Sequence, residues 1–328
     1  MRLSRTLALG ASVLTLTLVG TTGVGAQSPA TAAAPAVKIG SDNFYESKLV
    51  AEIYAQALEA AGYSVERNLG LGARPDRVPA FEGGQVDLVP EYVGSGLGFY
   101  AAGTQTGDGA ANKAALQAVF DGKDHLATVL DISPGQDTNA AAVRPDTATT
   151  YNLAKMSDLA AVQDKLTWGL PADCDTNPLC KDALVKYGIT YPPAQRVALG
   201  ACGAEMAQAL EGKAIDFGWF CSTQPEISQF GFVRLTDDLA TQPAENMAPI
   251  VRNDYLAKLP DAAGFEKVLN AASANITTEA LTAMGVDVAV NNEDIADVAA
   301  AFLKGDYAGG VPLGSPAPSP APSAPAGY

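Results

Sequence analysis

Residues 37–62, VKIGSDNFYESKLVAEIYAQALEAAG, decide the fold of the chain. The first four, 37–40, predict a short β-strand. Apolar residues then recur at the spacing of one helical face, which predicts a helix over 46–61. An Asp or Asn just before a helix caps its free N–H groups, so Asp42 or Asn43 is the expected cap.

The same alternation of short strands and helices continues along the chain. Further strands are predicted near 64–69, 86–89, 128–131, 166–169, 215–220, 232–235 and 248–251. Further helices are predicted near 78–82, 111–120, 156–162, 181–187, 204–210, 262–272, 278–284 and 292–303. This pattern predicts an α/β fold with mostly parallel sheets, which bind ligands at the carboxyl ends of strands or between lobes.

A glycine-rich stretch, GSGLG at 94–98, follows one predicted strand. Its spacing lacks the features of a nucleotide-binding loop, so we predict a flexible turn. No cofactor and no metal site is expected, and no constellation of catalytic residues points to an enzyme.

Both ends differ in composition from the centre. Residues 1–26 have a basic start, a short apolar run and small residues before Ala26, which predicts a cleaved secretory signal peptide. The alternative, a membrane anchor, needs roughly 20 apolar residues. Residues 27–35 and the Pro/Ala-rich 313–328 are predicted to be disordered. We therefore expect a protein secreted across the inner membrane, periplasmic or extracellular, without a lipid anchor.

The chain is acidic, with a formal net charge of −15 over 328 residues. Such a surface argues against nucleic acid or anionic lipid as a partner. The net charge says little about a ligand, because the electrostatic field at one site can be opposite to the average of the protein.

Four cysteines, Cys174, Cys180, Cys202 and Cys221, occur in this chain. In an exported protein an even number predicts disulfides, and three pairings of four cysteines exist. We favour Cys174–Cys180 with Cys202–Cys221. The competing interpretation is a zinc site, but the ligand spacing typical of zinc sites is absent.

The order of several motifs resembles the glycine betaine/carnitine/choline (osmoprotectant) substrate-binding proteins of ABC transporters. The motifs are KIGSDNFYES at 38–47, EIYAQALEAAGY at 52–63, QVDLVPEYVG at 85–94, YNL at 151–153, SDL at 157–159, LTDD at 235–238 and QPAENMAP at 242–249. The resemblance covers nearly the whole folded body, from about 37 to 304.

The resemblance implies the two-lobed periplasmic-binding-protein fold of type II, with a ligand cleft between lobes. Lobe 1 would comprise 36–138 plus 246–312, and lobe 2 would comprise 139–245. Two chain crossings, near 137–140 and 242–247, would form the hinge. The implied function is capture of a small polar or cationic solute for an ABC transporter permease, and we expect a monomer.

Family members hold a quaternary ammonium in a cage of tyrosines, through cation–π attraction. Tyr92 matches the first cage tyrosine. The other cage tyrosines of the family pattern are replaced in this chain by Asn139, Cys221 and Glu245, so the full cage is absent. A Cys202–Cys221 disulfide would then line or brace the floor of the cleft.

Two accounts of this loss remain open. Aromatic residues could rebuild a wall, with Glu245 supplying negative charge, or the ligand could be a different hydrogen-bonding solute, such as an amino-acid-like compound or another amine. A ligand sensor without a transport role is a further alternative. Across these accounts the candidate ligand-binding residues are Asn43, Phe44, Tyr45, Tyr92, Asn139, Trp219, Phe220, Ser222, Thr223, Glu245 and Asn246.

Overall fold

The computed structural model describes residues 35–200 and 202–307. Its strands are β1 (Val37–Gly40), β2 (Val65–Asn68), β3 (Leu88–Tyr92), β4 (Ala127–Val129), β5 (Asn139–Val143), β6 (Trp168–Pro171), β7 (Arg196–Leu199), β8 (Phe217–Cys221), β9 (Val233–Leu235) and β10 (Met247–Arg252). Its α-helices are α1 (Tyr45–Ala60), α2 (Arg74–Glu82), α3 (Val93–Tyr100), α4 (Gly109–Asp121), α5 (Pro145–Tyr151), α6 (Pro178–Lys186), α7 (Ala204–Glu211), α8 (Glu226–Gln229), α9 (Asn253–Leu256), α10 (Ala262–Ser273), α11 (Thr278–Gly285) and α12 (Ile295–Lys304). Tighter 3₁₀ segments span Met156–Lys165 and Pro193–Gln195, and a π-helical turn spans Val286–Val290.

The strands form two five-stranded sheets, which confirms the predicted α/β class. The first sheet has the order β2-β1-β3-β10-β4, and only β10 runs against its neighbours. The second has the order β7-β6-β8-β5-β9, and only β5 is reversed. Each reversed strand is the first one after the chain has changed sheets, so both sheets are mixed rather than purely parallel.

The chain passes between the two sheets twice. It leaves the first sheet after β4 and enters the second at β5, and it returns between β9 and β10. The two crossings pair with each other through an antiparallel bridge between Gln136 and Asn246. These crossings lie where the hinge was expected; the lobe boundaries stay a prediction.

Helix α1 forms close to its predicted position and packs into the core beside the first sheet. Leu49, Ile53 and Leu58 are fully buried, and the Tyr54 hydroxyl is 2.8 Å from Ser273 Oγ of α10. The expected side-chain cap is wrong, because Phe44 precedes the helix and makes no capping bond.

The glycine-rich stretch at 94–98 is helical, which corrects the prediction of a flexible turn. It forms most of α3, and two of its glycines permit close packing. A Cβ on Gly94 would lie 2.6 Å from the Ala244 carbonyl oxygen, and one on Gly96 would lie 2.8 Å from Glu91 Cγ. The small residues therefore allow α3 to pack closely against residues 91 and 244.

The predicted signal peptide at 1–26, most of the predicted lead at 27–35 and the predicted tail at 313–328 lie outside the described residues. Among the residues that are described, no helix is both long and apolar enough to cross a membrane.

A group of two arginines and two acids joins α2 to the first sheet, and all of its members except the partly exposed Arg74 are buried. Arg77 is 2 % exposed and bonds both Asp42, at 2.8 Å, and Glu91. Arg74 bonds Glu91 from the other side at 2.8 Å. Burial of an ion pair is tolerated only where each charge keeps its partners, and this group meets that condition.

Arg77→Ala is expected to lower the free energy of unfolding by about 3–5 kcal/mol, because buried Asp42 loses its basic partner and buried Glu91 keeps only Arg74. The control is Lys113→Ala, whose partner Asp131 is 67 % exposed and stays solvated when the lysine is removed. That change should cost at most about 1 kcal/mol. Urea unfolding followed by circular dichroism measures both, and equal losses would contradict this assignment.

Candidate functional site

A cavity of about 350 Å³ lies between residues that follow the strands of the two sheets. It is lined by Phe44, Tyr45, Glu46, Arg74, Tyr92, Ser95, Asp137, Asn139, Cys202, Cys221, Thr223, Gln224 and Glu245. Both sheets and both crossings contribute residues to this lining, which we call the cavity wall. Such an arrangement is expected of a cleft between two halves of an α/β protein.

The first turn of α1 brings aromatic and acidic groups to the cavity. The loop after β1 leads directly into the helix, and Asp42 N donates to Ser47 Oγ at 3.1 Å, which fixes the entry. Phe44 stacks on Tyr92 from the end of β3, with ring centroids 6.1 Å apart and planes inclined by 28°.

Glu46 connects a residue of the first sheet, Tyr92, with a residue that follows a strand of the second sheet, Thr223. Its Oε1 accepts from the Tyr92 hydroxyl at 2.5 Å, and its Oε2 accepts from Thr223 Oγ1 at 2.7 Å. The side chain is buried, and burial followed by the nearby Asp137 charge raises the pKa of Glu46 to about 8. At neutral pH this carboxyl therefore favours its protonated form.

Asp137 lies beside Glu46, on the first crossing. Its Oδ1 accepts from Thr223 N at 3.1 Å and from Ser222 Oγ at 3.3 Å. Burial raises the pKa of Asp137, while the bonds from Thr223 and Ser222 oppose that rise.

Glu245, on the second crossing, is a further acidic group of the wall. It accepts from Ser95 N at 2.9 Å and from Ser95 Oγ at 2.7 Å, near the start of α3. Burial raises the pKa of Glu245 to about 7, against the effect of the Ser95 bonds and of Arg74.

Arg74 is the one basic side chain among the residues that line the cavity. Its Nε and Nη2 both donate to Glu91, which also accepts from Arg77. Although burial opposes it, the charges of Arg74 and Arg77 lower the pKa of Glu91 to about 2. The Arg74 charge is thus largely matched within the protein, and the cavity keeps an excess of carboxyl groups.

Both predicted disulfides are present, and one forms part of the wall. Cys174 pairs with Cys180, and Cys202 pairs with Cys221. The second bridge ties the end of β8 to the segment before α7, where Gln224 Nε2 donates to the Gly203 carbonyl at 3.1 Å. This bridge lines the cavity, as the sequence predicted.

Comparison with known proteins identifies the family. The sequence pattern of the OpuAC family, the substrate binding domain of ABC-type glycine betaine transport systems, matches residues 35–305. The chain belongs to this family. It is a substrate-binding component of an ABC transporter, and it has the type II periplasmic-binding-protein fold.

Individual OpuAC relatives match most of the chain. The glycine betaine-binding protein YehZ of Escherichia coli is 28% identical over 289 residues, covering 84% of this chain and 92% of its own. A glycine-betaine-binding protein of Pseudomonas aeruginosa is 24% identical over 283 residues, with 83% and 88% covered. A crystal structure described as a glycine betaine/carnitine/choline ABC transporter has a TM-score of 0.71 at 22% identity, with 82% and 98% covered.

The cavity of this OpuAC protein contains six of the candidate ligand-binding residues: Phe44, Tyr45, Tyr92, Asn139, Thr223 and Glu245. The other candidates lie elsewhere. Asn43 lines a separate depression beside Arg74, and Trp219 and Ser222 line a neighbouring cavity of about 280 Å³. Phe220 is buried in the core behind β8, and Asn246 Nδ2 donates to the Ser133 carbonyl at 2.9 Å.

Sequence reasoning missed five lining residues: Glu46, Arg74, Ser95, Asp137 and Gln224. Two of them had a signal in the sequence. Glu46 stands in the same quoted motif as Phe44 and Tyr45, and Asp137 opens the predicted hinge segment. Nothing in the sequence alone placed Arg74 there, because its position depends on the pairing of α2 with Glu91.

The raised pKa values predict how the stability of the unliganded protein depends on pH. Glu245 and Glu46 hold protons in the folded state at pH values where the unfolded chain releases them. Stability from these groups is therefore present near pH 4.5 and is lost as pH rises toward 7 and 8, at up to about 1.4 kcal/mol per unit for each group.

Glu245→Gln is expected to make this decline shallower between pH 5 and 7, because a glutamine has no proton to lose. Urea unfolding at pH 5, 6, 7 and 8 measures the slope. Glu66→Gln, at an exposed position on β2, is the control and should keep the wild-type slope. An unchanged slope in Glu245→Gln would show that Glu245 is already ionised in the folded protein.

Proposed function

We propose that this OpuAC protein captures a small quaternary-amine cation, with choline preferred over glycine betaine and carnitine, for import by its ABC transporter. The observation that carries the proposal is the charge of the cavity. Glu46, Asp137 and Glu245 line it, whereas its basic residue, Arg74, is bonded to Glu91.

The carboxyl excess favours a ligand with net positive charge. Placing a cation beside ionised carboxyl groups is favourable, while leaving those groups buried without a partner is costly. A zwitterion also brings a carboxylate, which needs donors. Tyr92, Thr223 and Ser95 already donate their hydroxyl protons to Glu46 or Glu245.

The aromatic groups suit a methylated ammonium, which cannot donate hydrogen bonds. Tyr92 and Phe44 form a stacked pair at the cavity, and Tyr45 lines it beside them. Cation–π attraction to such rings contributes about 0.5–2 kcal/mol for each well-placed contact. Here carboxyl groups take over part of the role that tyrosines have in the family pattern.

The names of relatives support the solute class. Relatives in this family are named as binding proteins for glycine betaine and for carnitine, at 28% and 25% identity. The solute is expected to be bound and released unchanged, so that it is recovered chemically intact.

The rest of the proposal concerns location and movement. The signal-like pattern of residues 1–26 supports export and action outside the cytoplasmic membrane. Action as a monomer is an expectation. Two lobes would close on the solute, one of residues 36–138 plus 246–312 and the other of residues 139–245. They would move about the two crossings, which pair with each other at Gln136 and Asn246.

Isothermal titration calorimetry with choline, glycine betaine and carnitine tests the solute assignment. Choline is expected to bind with 1:1 stoichiometry and at least about tenfold more tightly than glycine betaine, a difference of about 1.4 kcal/mol. Tighter binding of glycine betaine would refute the cation preference. Absence of binding by all three would refute the function.

Phe44→Ala is expected to weaken choline binding about 3- to 30-fold, because it removes one aromatic face next to the ammonium. Its cost to stability should be small, since Phe44 is 42% exposed. Phe99→Ala is the matched control: Phe99 is 44% exposed and does not line the cavity. Equal affinities in the two variants, measured by the same titration, would rule out a contact between Phe44 and the solute.

A further inference from the structure

Two carboxyl groups meet at Thr223 on the wall of the cavity. Thr223 Oγ1 donates to Glu46 Oε2 at 2.7 Å, and Thr223 N donates to Asp137 Oδ1 at 3.1 Å. Glu46 belongs to α1, Asp137 to the first crossing and Thr223 to the segment after β8. Three separate parts of the chain therefore hold these two acids side by side.

Within the described part of the chain, the surroundings supply no positive charge to this pair. Tyr45 and Tyr92 lie against it from α1 and β3, and Glu226 approaches Tyr45 from α8. Glu245 and Arg74 stand elsewhere on the wall, and Arg74 is bonded to Glu91. Among residues 35–200 and 202–307, neither Glu46 nor Asp137 forms a salt bridge with a basic side chain.

Two neighbouring carboxyl groups at low dielectric cannot both be ionised unless a cation is close to them. The ordinary solution is one proton shared by the pair. We propose that Glu46 and Asp137 share such a proton in the unliganded protein, and that the ammonium group of the incoming solute displaces it into solvent. This inference rests on the proposed capture of a cation.

The exchange conserves charge. The unliganded pair with one proton carries a charge of −1, and the doubly ionised pair with one bound monovalent cation carries the same. A cation therefore enters without adding net charge to a poorly solvated cavity, which is where an uncompensated charge costs most. Burial raises the pKa of both carboxyl groups, that of Glu46 to about 8, so the proton is present at neutral pH.

A consequence is that affinity depends on pH in one direction. Below the pKa of the pair, binding must expel the proton, so the affinity for a cation rises with pH. The expected gain is up to about tenfold per pH unit between pH 6 and 7, levelling off above about pH 8.

Titration calorimetry with choline, in buffers that differ in ionisation enthalpy, counts the protons. At pH 7.5, above the pKa of Glu245 at about 7 and below that of Glu46 at about 8, the slope of observed enthalpy against buffer ionisation enthalpy should show most of one proton released per choline bound. A slope of zero with choline still bound would overturn the proton exchange and leave the capture function standing. No binding at all would instead refute the capture function.

Two variants assign the proton to the pair. Glu46→Gln should release about one proton fewer than wild type and bind choline with little dependence on pH, because Asp137 then ionises alone. Asp137→Asn is the second variant, should Glu46→Gln fail to fold, and it should also release fewer protons. Circular dichroism and urea unfolding establish that each variant is folded.

Glu245→Gln is the comparison variant, since it makes the same chemical change in the same cavity and is itself expected to weaken choline binding. Its proton release per choline at pH 7.5 should match that of the wild type, whereas the release by Glu46→Gln should fall. If the release disappears in Glu245→Gln and persists in Glu46→Gln, the proton belongs to Glu245 and the proposal is wrong.

Discussion

The hydrogen bonds of Glu46 are the constraint on which the site depends. One carboxyl group accepts from Tyr92, at the end of a strand of the first sheet, and from Thr223, just after a strand of the second. Because hydrogen bonds to a carboxyl group require close distances, this contact fixes how the two halves face each other at the cavity. The other lining groups are arranged around it.

The basic side chains near the cavity are paired with acids, and this pairing leaves an excess of carboxyl groups in the cavity lining. Arg74 and Arg77 are both engaged by Glu91, and Asp42 also pairs with Arg77. This network uses the basic groups close to the cavity for structure. The remaining acids of the lining are Glu46, Asp137 and Glu245. Among the described residues they have polar hydrogens as partners but form no salt bridge, which is why we propose a positively charged solute.

Much of the fold was predictable, because it depends on local periodicity. The helix after β1 and most strands appear close to their predicted positions, since each buries apolar residues at the spacing of its own secondary structure. The prediction of a turn failed where the deciding contacts are distant in sequence. The glycine-rich stretch at 94–98 is helical because it packs against residues 244–245, which are far away in sequence.

By itself the sequence predicted most of the strand–helix order, the family resemblance, the favoured pairing of the cysteines and six aromatic or polar positions of the cavity wall. Only the tertiary structure decided that Glu46, Asp137 and Thr223 meet, and that Arg74 is bonded to Glu91. The spacing of apolar residues indicates which face of a single helix or strand is buried. The electrostatics of a site depend on distances between elements, and these are fixed by packing.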